Sequence, residues 1–111
     1  MTRELPIRDL NIIDSISKRD DGVVCLEIIA HGPLTSDSEV QQLLLAKIET
    51  YLCYVNSTGF RRKYGSPSRD STVVIVLCPE EVDEEILELI ERMKPWADDN
   101  CASIQLSAGN G

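Results

Sequence analysis

Four of the eleven Lys and Arg residues of this chain fall in GFRRKYGSPSRD, residues 59–70: Arg61, Arg62, Lys63 and Arg69. Guanidinium and ammonium groups gathered this way hold phosphates or carboxylate surfaces, and Tyr64 adds aromatic contact area. The segment therefore reads as a basic loop that binds an anion or an acidic partner. The plainer reading is a solvated connector whose charges offset the acidic helix that follows. Opposite charge gathers further on, at Glu81, Glu84, Glu85 and Glu88, beside Glu80, Asp83 and Glu91. These carboxylates are a docking face for a basic partner, or the solvated face of a helix whose first turn favours negative charge.

Covalent catalysis has little to work with. A cysteine nucleophile needs an activated thiolate and a base. His31 is the single histidine, and it lies in a Gly-Pro turn six positions after Cys25, on no shared face. Asp14 sits in an apolar run between Ile12 and Ile16. It either faces solvent or needs a partner. Cys25, Cys53, Cys78 and Cys101 show no C-x-x-C spacing, which argues against a structural metal site. No Gly-rich phosphate loop, serine nucleophile elbow or dinucleotide fingerprint is present, so no cofactor and no catalytic residue is assigned.

The net charge of -8 opposes non-specific binding to a phosphate backbone. The charge is uneven. Residues 1–58 carry five basic and nine acidic groups, residues 59–70 four and one, and residues 71–111 two and nine. No apolar run is long enough to span a bilayer and no leader peptide is evident, so the expectation is a reduced, cytoplasmic protein. Neither a nucleic acid nor a membrane is an expected partner.

The elements that must position these groups follow from periodicity. The first ten residues, broken by Pro6, read as a flexible arm. NIIDSIS and VVCLEIIA read as two strands joined at an Asp-Gly turn, a β-hairpin over residues 11–30. Ser36 with Glu39 forms a capping-box pattern. Val40, Leu43, Leu44, Ile48, Tyr51, Leu52 and Val55 then recur at helical spacing, and Gly59 is a plausible cap. STVVIVLC is continuously apolar and β-branched, as in a central strand. A second helix should begin at Pro79 and bury Val82, Ile86, Leu89, Ile90, Met93 and Ala97, with Pro95 ending or kinking it. CASIQLS is the last strand and residues 108–111 a flexible tail.

The expected fold is α+β: a two-layer sandwich in β-β-α-β-α-β order, with a four-stranded mixed sheet and two helices packed mainly on one face. Residues 11–107 form its single domain. The bare sheet face would carry Cys25, Glu27 and Ile29 with Ser103 and Gln105, either wet or a dimer surface.

IIDSIS, the turn at Gly22, VVCLEI and the helix LLLAKIETYLCYVNSTG together resemble a family of small uncharacterised bacterial proteins, classed as a domain of unknown function. The resemblance runs from about Ile12 to Leu106. It implies a compact α+β fold and carries no activity and no site residues. Two functions stand on the residues. One is a non-catalytic module working through protein contacts, as an adaptor, regulator or immunity-like protein, with an unknown protein partner or a second copy of itself. The alternative is a small-molecule or anion binder, or an enzyme, that uses residues 59–70.

Overall fold

The computed structural model describes residues 5–108. Four strands and three helices alternate as β1 (Ser15–Lys18), β2 (Val24–Ile29), α1 (Ser38–Val55), α2 (Thr58–Tyr64), β3 (Thr72–Cys78), α3 (Glu84–Asp99) and β4 (Ser103–Ala108). The strands lie in the order β1-β2-β3-β4. β1 is antiparallel to β2, while β2, β3 and β4 run parallel. Because the parallel strands are neighbours in chain order, two right-handed crossovers put both connecting helices on one face. The expected α+β sandwich is the observed one, with α2 added.

The hairpin closes where Asp21 and Gly22 demand it. Gly22 has φ of 90°, a conformation that strains an L side chain, and Val23 donates to Asp21 Oδ1 at 3.0 Å. β1 begins later than the apolar run NII suggested. Residues 11–14 turn beside Lys47 and Tyr51 of α1 instead, with Ile12 N donating to Asp9 O at 2.9 Å and Asp14 N to the Tyr51 hydroxyl at 2.7 Å.

In register, Ile16, Leu26, Val74 and Ile104 share the helix-facing side. They pack against Val40, Leu44, Ile48, Leu52 and Val55 of α1 and Ile86, Ile90, Met93 and Ala97 of α3. Each fully buried Ile or Leu contributes about 1.5–3 kcal/mol relative to exposure. On the other side lie Cys25, Val73 and Ser103, then Glu27, Ile75 and Gln105, then Ile29, Leu77 and Ser107. That side is apolar at its centre and polar towards β4.

Three element ends differ from expectation. α1 is capped by Asp37, whose Oδ1 accepts from Glu39 N at 2.9 Å, and not by Ser36. The helix expected at Pro79 starts at Glu84, because Leu34 and Val82 form an isolated parallel bridge that holds residues 81–83 extended. Leu34 N donates to Glu81 O at 2.9 Å and Asp83 N to Leu34 O at 2.8 Å. Pro95 does not end α3, which continues to Asp99. Proline removes one helical N–H, but the buried Ala97 beyond it keeps the last turn against the core.

The arm expected over residues 1–10 falls partly outside the described residues. Its second half is packed: Pro6 and Ile7 are buried, Ile7 at 2% exposure, and Ile7 belongs to the core. Of the tail expected at 108–111, Ala108 belongs to β4 and the rest lies outside the described residues. No helix among the described residues is long and apolar enough to cross a membrane.

Candidate functional site

The basic segment is a helix for half its length. Ser57 caps α2 by accepting from Phe60 N at 3.1 Å, and its own hydroxyl donates to Tyr54 O at 2.6 Å. Phe60 is buried between Tyr54 (ring centroids 5.6 Å apart, edge-on) and Tyr64 (5.0 Å). This aromatic anchor explains why residues 58–64 coil up instead of forming the expected loop. Gly59 lies inside α2, and Asn56 caps α1, its amide donating to Leu52 O at 2.9 Å and Asn100 O at 3.0 Å.

The helix separates the cations that the sequence places side by side. Consecutive helical residues point about 100° apart. Arg61, Arg62 and Lys63 are exposed, and they fan around α2. Lys63 Nζ lies 5.6 Å from the centroid of the half-buried Tyr64 ring. Arg69 turns to Asp98 of α3 at 3.5 Å and Asp70 at 3.7 Å. The basic residues also lie at the carbonyl end of α2, where the dipole favours them without any ligand.

The acidic residues divide as well. Glu84, Glu85 and Glu88 are exposed on α3, whereas Glu81 precedes the helix in the segment bridged to Leu34. Asp83 holds the start of α1 by accepting from Ser36 N at 2.8 Å. Within the acidic face stands Leu87, 45% exposed. Glu84, Glu88, Glu91 and Arg92 surround it in a shallow hollow.

The most tightly organised polar group is one that the sequence reading saw only at Asp14. Lys47 sits on the buried stripe of α1 with no exposed surface. Its Nζ donates to Arg8 O at 2.8 Å, Asp9 O at 2.7 Å and Asp14 Oδ1 at 3.0 Å. An ammonium has three donors, so all are used. Asp14 Oδ2 accepts from Ile29 N at 3.0 Å. Tyr51 O–H donates to Glu27 O at 2.6 Å and accepts from Asp14 N at 2.7 Å. Burial pushes the Tyr51 hydroxyl above its ordinary range; the Asp14 amide opposes this and the Asp14 carboxylate adds to it. The cluster binds residues 8–14 to α1 and β2 and offers no open donor to a substrate. The signal was legible: Lys47 stands three residues after Leu44 and four before Tyr51, on the face that must be buried.

A family of unknown function, DUF6572, matches residues 5–109. The chain belongs to this family. No curated protein and no solved structure matches it. The match starts where the described structure starts, so the family region includes the buried Ile7 and the segment bound by Lys47.

His31 is exposed, its backbone N–H donating to Pro6 O at 2.7 Å, while Cys25 is buried on the open side of the sheet. The two are not brought together. All four cysteines are free, and Cys53 is exposed. Cys78 Sγ approaches the carbonyls of Glu80 at 3.4 Å and Gly32 at 3.6 Å, a weak thiol donor held between two turns. Among the described residues no group of three or more His, Cys, Asp or Glu side chains is placed to hold a metal ion.

Proposed function

We propose that this protein is a non-catalytic contact module, bacterial and cytoplasmic, that docks a basic partner protein on the outer face of α3. One observation carries the reading: Leu87 is exposed in a hollow edged by Glu84, Glu88 and Glu91. An apolar side chain edged by three carboxylates and the Arg92 guanidinium is the pattern of an anchor with a charged, mainly acidic rim. Four free thiols fit a reducing compartment.

A partner of this kind carries an apolar anchor among Lys and Arg residues. Binding should weaken with salt, since exposed charges are screened over about 10 Å at roughly 0.1 M. The test is capture from a native lysate on three baits: the wild type, Glu84→Lys with Glu88→Lys, and Arg61→Ala with Arg62→Ala and Lys63→Ala. A protein held by the first and third baits and lost by the second supports the reading. A protein lost only from the third bait would move the site to α2.

Anion binding by residues 59–70 is the second reading. Exposure of Arg61, Arg62 and Lys63 favours it. Their divergence around α2 suits an extended acidic surface better than one phosphate. A rise in melting temperature with inorganic phosphate, above that in matched chloride, would revive it.

A further inference from the structure

β4 is the last strand of the sheet, and among the described residues nothing pairs with its outer edge. An open edge presents unpaired N–H and C=O groups, and soluble proteins usually blunt it with Lys, Pro, a bulge or a short strand. β4 has none of these devices. It is six residues long, SIQLSA, without charge or proline, and pairs with β3 along its whole length.

Beside this edge runs a groove of about 380 Å³ between α3 and β4, lined by Leu87, Ile90, Glu91 and Lys94 on the helix and by Ile104 to Leu106 on the strand. A second hollow continues it past Lys94 towards Arg69 and Asp98. The geometry points to a second copy of this chain as the occupant, pairing β4 with β4 in antiparallel register about a two-fold axis at Gln105.

Three features make the edge self-complementary. Antiparallel partners share a sheet face, so residues of like parity meet. With Gln105 opposite its own copy, Ile104 meets Leu106 of the partner subunit on the helix side. On the open side Ser103 meets Ser107 of the partner subunit. Apolar thus meets apolar and hydroxyl meets hydroxyl. Finally, α3 runs antiparallel to its copy across the axis. Glu91 and Lys94, 2.9 Å apart within one chain, both line the groove beside Gln105. The two-fold sets the carboxylate of each protomer near the ammonium of the other, as an isologous interface requires. This contact borders the hollow on α3, sharing Leu87 and Glu91 with it but not Glu84 or Glu88, and its strand pairing at Gln105 does not depend on a partner docking there.

The test is the mass of the full chain by sedimentation equilibrium across a concentration series, with Gln105→Lys, Gln105→Glu and their equimolar mixture. Gln105 is exposed, so each variant should keep the wild-type melting profile when dilute. The wild type should dimerise. Each single variant should weaken the dimer about tenfold, through one lost hydrogen bond and one like-charge pair on the axis. The mixture should recover dimer as a one-to-one heterodimer. A wild type that stays monomeric, or a dimer indifferent to either variant, overturns the proposal. So does a mixture no stronger than its parts. A monomeric Gln105→Lys that still captures the partner sought through α3 would separate this contact from the proposed function.

Discussion

β1 and β4 bound the same sheet and are built on opposite plans. β1 is four residues long, ends in Lys18 and passes into Arg19, Asp20 and Asp21, with an Arg19–Asp21 ion pair at 2.8 Å. Where β1 stops short, the Asp14 carboxylate takes the Ile29 amide, so a side chain completes the ladder. β4 is longer, uncharged and flanked by a groove. One edge is closed by charge and by the Lys47 cluster; the other is left able to accept a strand. The buried polar cluster and the proposed contact between copies thus lie at opposite edges of the sheet, and changes at the two edges should register in different measurements.

The largest effect is expected at the closed edge. Asp14→Ala leaves the Lys47 ammonium buried without its counter-charge and should destabilise the fold by about 3–5 kcal/mol. Hydrogen exchange should quicken first in β1, β2 and residues 8–14, while β4 amides bonded to β3 keep their relative protection. Uniform loss of protection would break the comparison.

Tyr51→Phe comes next, at about 1–3 kcal/mol, because Glu27 O loses its donor and Asp14 N its acceptor. The same hydroxyl gives the closed edge an alkaline limit. An unfolded tyrosine ionises near pH 10, and the folded Tyr51 holds its proton to higher pH. Its contribution is therefore complete below about pH 10 and is lost as pH rises through the folded value. Melting curves of wild type and Tyr51→Phe should converge on going from about pH 9 to about pH 11. A constant gap would contradict this.

Ser57→Ala tests the region between the edges. Loss of the α2 cap should lower stability by about 1 kcal/mol in denaturant titration and leave dimer mass unaltered. The smallest stability effect belongs to the exposed face of α3 beside the open edge: Leu87→Gln should change unfolding by under about 0.5 kcal/mol yet weaken partner capture. A large loss of stability there would make Leu87 part of the core rather than an exposed anchor.

Much of the fold was legible because local patterning and burial agree. The stripe from Val40 to Val55 and the run TVVIVLC each have one arrangement that hides them, and the Asp-Gly turn specifies the hairpin. Helix ends were less legible. Pro79 and its neighbouring acids favour a helix start, but the Leu34–Val82 bridge, made by residues 48 apart, overrides that preference. The charged segment was read correctly in sign and wrongly in shape. GFRRKYG contains glycine at both ends, and only the packing of Phe60 between Tyr54 and Tyr64 turns it into a helix.

By itself the sequence determined the α+β class, the faces of the two long helices, the central place of β3 and the reversal of charge near residue 60. These depend on periodicity and composition, which act over a few residues. Tertiary structure alone decided that Lys47, Asp14 and Tyr51 close one edge, that Arg61, Arg62 and Lys63 diverge while Arg69 joins α3, and that β4 ends the sheet with no strand beside it among the described residues. Each depends on groups far apart in the chain whose meeting is set by strand order and close packing, and no local pattern encodes which distant carbonyl, carboxylate or strand will stand beside them.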